Sequence, residues 1–210
     1  MKNIAGFIIL CCTALSAQQP AQLAITLDGN IDKEEWKNAA TYKMQQDGEV
    51  RIMTDSLFVY VAVAGKGNGW SHVYTKHGAT VEVLHASAAL GASRYVAGTN
   101  NMWKATQSFI WELRDTGMTE NAVKSRLAYL HKNGWVATIN LMHPTDQEYV
   151  ISRSLFDSPS MRIAVARAVD SNSPHRWPGT LQDGTVVKEL VFGTTVEILS
   201  FKPEQWAEIQ

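Results

Sequence analysis

Seven tryptophans in a chain of 210 residues set the first chemical question. Indole offers a broad apolar face and one N–H donor, so it can cover the flat C–H face of a sugar ring while polar neighbours take the hydroxyls. Four of the seven stand among glycine, amide or charged residues: Trp70 in GKGNGWSH, Trp103 and Trp111 in NNMWKATQSFIWELRD, and Trp177 in HRWPG. Asn100 and Asn101 lie just before Trp103, Arg114 and Asp115 follow Trp111, and His175 and Arg176 precede Trp177. Amides, guanidinium groups and carboxylates each make two parallel hydrogen bonds to vicinal hydroxyls. Trp70, Asn101, Trp103, Trp111, Arg114, Asp115 and Trp177 are therefore the candidate ligand-binding residues, with coverage of the core ends as the competing role for each indole. Trp36, Trp135 and Trp206 read as core.

Other chemistries leave fainter marks. His72, His77 and His85 invite a zinc reading, but the chain has no H-E-x-x-H, no H-x-H and no Cys/His ligand spacing. Glu82 and Glu112 fall on candidate strands, where a glycosidase would need two facing carboxyl groups. Their alternation with apolar neighbours reads instead as outward-facing positions of a sheet. Ser87 and Ser93 lie outside any G-x-S-x-G elbow, and the glycines of GKGNG do not lead into a helix as a phosphate loop requires. The small residues of LHASAALGASRYV, 84–96, imply tight packing or a close backbone approach.

The elements that must position these residues start after a leader. Lys2, the apolar run Ile4 to Leu15 and small residues ending at Ala17 have the layout of a secretory signal peptide, with cleavage after Ser16 or Ala17. A lipoprotein anchor at Cys11 or Cys12 is the alternative. Residues 18–210 then form one domain with no cysteine, so its stability must come from a core. A formal charge of −1, one unit lower without Lys2, lacks the basic footprint that nucleic acid requires. No second apolar run is long enough to span a bilayer as a helix.

Strands are predicted over Ala24 to Leu27, Glu49 to Met53, Leu57 to Gly65, Thr80 to Leu84, Ser93 to Ala97, Thr106 to Leu113, Trp135 to Leu141, Met161 to Ala168 and Thr185 to Val191. Their short spacing and Asp-Gly, Gly-Asn and Asn-Gly punctuation argue for an antiparallel β-sandwich, jelly-roll-like, with a few short peripheral helices. Those helices are predicted after the Asp32 cap, over Thr119 to Asn133 with Gly134 as left-handed cap, and from Pro203. Asp170 to Asp183, rich in Ser, Pro, Asn and Gly, reads as a long surface loop.

The stretch LDGNIDKEEWKNA, Leu27 to Ala39, supplies a turn at Asp28-Gly29, a cap at Asp32 and a tryptophan that plugs the core end. Its order I-x-L-D-G-x-I-D-x-x-E-W-x-x-A, followed by T-D-x-L-F-V-Y-V-A-V at Thr54 to Val63, resembles the start of family 9 carbohydrate-binding modules and the wider DOMON-like sandwiches. The resemblance covers about the first third of the domain. Later, Gly134-Trp135 is followed by VATINLMHP, which lacks the glutamate of the family's E-x-x-I-P strand. The resemblance implies a secreted or periplasmic, non-catalytic saccharide-binding protein with structural calcium, for which Asp28, Asp32, Asp47 and Asp55 offer oxygen ligands from turns. The DOMON-like alternative implies haem b held by a Met and a His, with Met102, Met142 and His143 to consider. Adjacent Met142 and His143 would point to opposite faces of a regular strand. A glycoside hydrolase is the third reading.

Overall fold

The apolar run at Leu57 to Gly65 needs cover on both faces, and the structure supplies it with two sheets and two flanking layers. The computed structural model describes residues 22–45, 47–65, 69–99, 102–114, 117–139, 146–155, 161–168, 175–181, 187–191 and 194–209. In chain order the strands are β1 (Ala40–Lys43), β2 (Glu49–Thr54), β3 (Phe58–Ala64), β4 (Trp70–His77), β5 (Thr80–Ala86), β6 (Leu90–Ala97) and β7 (Met102–Gln107). Helix α1 (Glu120–Asn133) follows, then β8 (Trp135–Ala137), β9 (Gln147–Ser152), β10 (Met161–Ala168), β11 (His175–Trp177), β12 (Val187–Val191), β13 (Thr194–Ser200) and β14 (Ala207–Ile209).

One sheet runs β1-β2-β3-β9-β8 and the other β11-β10-β4-β5-β6-β7-β13-β12, with β14 pairing the free half of β10's outer edge. All pairings among the described residues are antiparallel. Between the sheets, Val59, Val61, Val63, Tyr149 and Ile151 meet Val73, Leu84, Ala86, Ile163 and Val165. The outer face of the small sheet carries Phe58, Tyr60, Ala62 and Val150, covered by Ile25, Leu27 and Trp36 of the N-terminal segment, while α1 lies against β8 and β9. The outer face of the large sheet carries Tyr74, Val81, Val83, Tyr95, Trp103, Ala164 and Ala166 under Leu181, Phe201 and Trp206. The mainly-β sandwich expected from the sequence is the fold.

Helix α1 begins at Thr119, whose hydroxyl accepts from the Ala122 amide, and ends at Gly134 with φ 73°. Both caps are where the sequence places them. Several elements differ. The helix expected after the Asp32 cap is not formed: residues 33–38 make turns before the chain enters β1 at Ala40. Ala24–Leu27 forms no strand, because Ile25 and Leu27 serve as plugs over β3 rather than as rungs of a ladder. Thr106–Leu113 leaves the sheet after Gln107, and Leu113 alone returns to bridge Leu90. From Pro203 a single 3-10 turn, Pro203–Gln205, gives way to β14. The segment expected as a loop at 170–183 contains β11 in its described part. Glu82, expected to face outward, is buried and ion-paired to Arg94, with His77 Nε2 4.0 Å from its carboxylate.

Candidate functional site

Two of the four candidate tryptophans come to one place, the outer face of the large sheet at β4 and β5. Alternation along WSHVYTKH sends Ser71, Val73 and Thr75 toward the smaller sheet and Trp70, His72 and Tyr74 outward. His72 and His85 are directly opposite each other in the β4–β5 register. Their neighbours on the outer face are small: Ala166 stands beside His72 on β10, and Gly91 beside His85 on β6. The rings therefore have room to lie over the sheet.

The segment after β7 completes the cluster. Phe109, Ile110 and Trp111 cross β6 at Gly91, where a Cβ would stand 2.3 Å from the Ile110 carbonyl oxygen and 2.7 Å from the Phe109 ring. The crossing is pinned by the Leu90 amide donating to the Leu113 carbonyl at 2.8 Å and the Glu112 amide to the Leu90 carbonyl at 2.9 Å. Only glycine allows a backbone this close. As a result the His85 ring is surrounded by Trp70, Phe109 and Trp111, with centroids at 5.8, 5.3 and 5.2 Å. Trp70 also packs on His72 at 4.4 Å, and Phe109 on Trp111 at 4.8 Å. Trp70, Phe109 and Trp111 remain 36%, 39% and 49% exposed. Each keeps an open part of its ring while its other contacts hold it in place.

Beneath the rings runs a line of polar contacts. His72 Nε2 and His85 Nδ1 are 2.8 Å apart, His85 Nε2 and Ser87 Oγ 2.9 Å, and His72 Nδ1 and Tyr74 Oη 3.5 Å. Burial lowers the His72 imidazole to about 3, with the neighbouring His85 adding to the effect, and lowers His85 to about 4. Both rings are therefore neutral at pH 7, and the floor of the cluster carries no charge. The arrangement can stack a flat ring and can exchange a proton along a fixed line.

The remaining candidates are elsewhere. Trp103 is buried against Phe201 in the outer core, and Trp177 is buried against Tyr42 at 4.6 Å, so neither offers a face to solvent. Arg114 is exposed just past the crossing segment. Asn100, Asn101, Asp115, Met142 and His143 lie outside the described residues. His77 is five residues along from His72 and so on the other face of β4, next to Glu82. Glu112 is exposed and accepts from the Tyr129 hydroxyl at 2.6 Å. Trp36, Trp135 and Trp206 are buried.

Three of the four proposed calcium ligands, Asp28, Asp32 and Asp55, are engaged in local turns. Asp28 accepts from the Asn30 amide and Asp32 from the amides of Glu34 and Glu35. Asp55 accepts from the amides of Leu57 and Phe58 and from the Tyr60 hydroxyl. Burial alone would raise the Asp55 carboxyl, but these donors outweigh it and hold it below its ordinary value. Among the described residues no three His, Cys, Asp or Glu side chains are grouped as a metal would need. The opening motif is organised by a different residue, Glu148 of β9. Its carboxylate accepts from the amides of Asp28 at 3.2 Å and Gly29 at 2.9 Å and from the Trp36 indole at 3.0 Å.

Phe109 was not legible as a site residue in the sequence, and His72 and His85 were legible there only as candidate zinc ligands. The one trace was the alternation of W-x-H-x-Y at 70–74, which lines three rings on one face of a strand. No protein-family model, curated protein or solved structure matches the chain.

Proposed function

We propose that the chain is a secreted or periplasmic saccharide-binding protein whose ligand lies on Trp70, Phe109 and Trp111. The observation that carries this reading is the pair of half-open indoles flanking His85, held by packing and by the Gly91 crossing rather than left on a free loop. Rigid aromatic surface at low entropy cost is what stacking on a sugar ring needs. The neutral floor suits an uncharged ligand, since no fixed charge must be desolvated when the face closes. The resemblance of Leu27 to Val63 to family 9 carbohydrate-binding modules supports the same ligand class. The rings lie on the outer face of the large sheet, Trp70 shortly after that motif in the chain and Phe109 and Trp111 well beyond it.

The test is calorimetric titration with glucose-, xylose- and mannose-based oligosaccharides. Saturable binding is expected, and Trp111→Ala and Trp70→Ala should each weaken it by about tenfold or more, the equivalent of about 1.4 kcal/mol. Both residues are partly exposed, so the melting temperature of each variant should stay within a few degrees of the parent. Absence of binding across the panel, or binding unchanged in both variants, contradicts the reading.

A further inference from the structure

We propose that Ser87, His85 and His72 form an acyl-transfer site in which Ser87 is the nucleophile, His85 the general base and His72 the group that orients it, acting on an ester carried by the bound ligand. The choice of an esterified saccharide rests on the function proposed above, whereas the nucleophile itself rests only on the geometry of the three side chains.

That geometry meets the two requirements of an activated serine. The base is within hydrogen-bonding reach of the hydroxyl, 2.9 Å from Ser87 Oγ to His85 Nε2, and its other nitrogen is fixed by a third group, 2.8 Å from His85 Nδ1 to His72 Nε2. The arrangement is recognised by roles and distances rather than by a sequence elbow. With the Ser87 hydroxyl donating to His85 Nε2, His85 donates from Nδ1 to His72 Nε2, and His72 carries its remaining proton on Nδ1 toward Tyr74 Oη at 3.5 Å. Ser87 is half-buried at the end of β5, where the chain turns at Ser87 to Ala89, and the more buried imidazole lies behind it. The aromatic rings around His85 screen the proton transfer from water and place a bound ligand beside the hydroxyl.

The step balances with water as the only co-reactant. Ser87 Oγ bonds to the ester carbonyl carbon as its proton passes to His85 Nε2. The carbonyl then re-forms, the C–O bond to the sugar breaks, and the sugar oxygen takes that proton. Water, deprotonated by His85, attacks the acyl-serine, and the released hydroxyl of Ser87 recovers the proton. Neutral His72 stabilises the developing imidazolium less than a carboxylate would, so turnover should be slow by the standard of Ser-His-Asp enzymes.

The test is stoichiometric labelling of the purified protein with an alkyl fluorophosphonate, read by intact mass and peptide mapping. One equivalent is expected on Ser87, with fluoride released and a Ser–O–P bond formed, and none on Ser87→Ala. His72→Asn should lower the maximal labelling rate about tenfold or more, leaving the half-saturating reagent concentration unchanged, as befits a positioning residue. Acetate release from acetylated xylo-oligosaccharide should be lost in Ser87→Ala while calorimetric saccharide binding persists. Absence of Ser87 labelling in the folded protein, or labelling at the same rate in Ser87→Ala, overturns the proposal. Because the label needs no saccharide, that result leaves the binding reading to its own titration.

Discussion

Glu148→Ala is expected to lower stability by about 3–5 kcal/mol, through one buried and two part-buried donors left without a partner at about 1–3 kcal/mol each before relaxation. The donors are the amides of Asp28 and Gly29 and the indole N–H of Trp36, and the carboxylate is fully buried. Glu148→Gln separates the contributions. Its amide oxygen can keep both backbone bonds, but its amide nitrogen turns a donor toward the Trp36 donor, so about 1–2 kcal/mol is expected. Denaturant unfolding with the slope held constant measures both. An alanine variant within 0.5 kcal/mol of the parent, the roughly neutral range of a surface substitution, would contradict the role given to Glu148.

The same carboxyl has a pH signature. Burial raises it from 4.5 to about 7, against the lowering effect of its hydrogen bonds from Gly29, Trp36 and Asp28. Between those two values the folded chain binds more protons at Glu148 than the unfolded chain. Stability from this group is thus greatest below about 4.5 and declines as pH rises to about 7. Glu148→Gln should remove that slope. A parent and variant with parallel stability profiles from pH 5 to pH 8 would place the titration elsewhere.

Gly91→Ala is expected to weaken ligand binding strongly while leaving the sandwich folded. The new Cβ would meet the Ile110 carbonyl oxygen at 2.3 Å and two Phe109 ring carbons at 2.7 and 2.9 Å. A backbone oxygen cannot rotate away, so the segment Phe109 to Trp111 must lift from β6 and Trp111 loses its place beside His85. Overpacking of this kind costs about 1–3 kcal/mol, which the two cores can absorb. Affinity should fall by about 100-fold, more than for either single indole, because two of the three rings move together. Calorimetry and a melting curve on the one variant measure both effects. Full binding in Gly91→Ala would show that the crossing does not build the site.

What the sequence disclosed follows from how local each signal is. β3 was legible because both its faces are buried, which leaves an unbroken apolar run. α1 was legible because Thr119 and Gly134 cap it within their own neighbourhood. The turn at Asp28-Gly29 and the Asp32 cap were legible for the same reason, whereas their common anchor, Glu148, lies 120 residues from Asp28 and sits in QEYVIS, whose two polar leading residues hid a fully paired strand. β4 was hidden differently, since its apolar inner face is interrupted by Ser71 and Thr75 and follows a glycine-rich run.

The tryptophans show the limit most directly. Trp70 and Trp177 have equally polar sequence neighbours, yet one is a third open on the outer face and the other is packed against Tyr42 in the main core. Trp103 and Trp111 are eight residues apart, and the end of β7 between them sends the first into a core and the second across β6. The histidine pair depends on the β4–β5 register, which opposes residues thirteen apart.

The most direct measurement is a saccharide titration followed by the indole N–H resonances, one for each of the seven tryptophans. Saturable shifts are expected for Trp70 and Trp111, assigned by single Trp→Phe variants, with Trp36, Trp103, Trp135, Trp177 and Trp206 unmoved. Saturation that shifts the buried indoles and leaves Trp70 and Trp111 in place would contradict the proposed site.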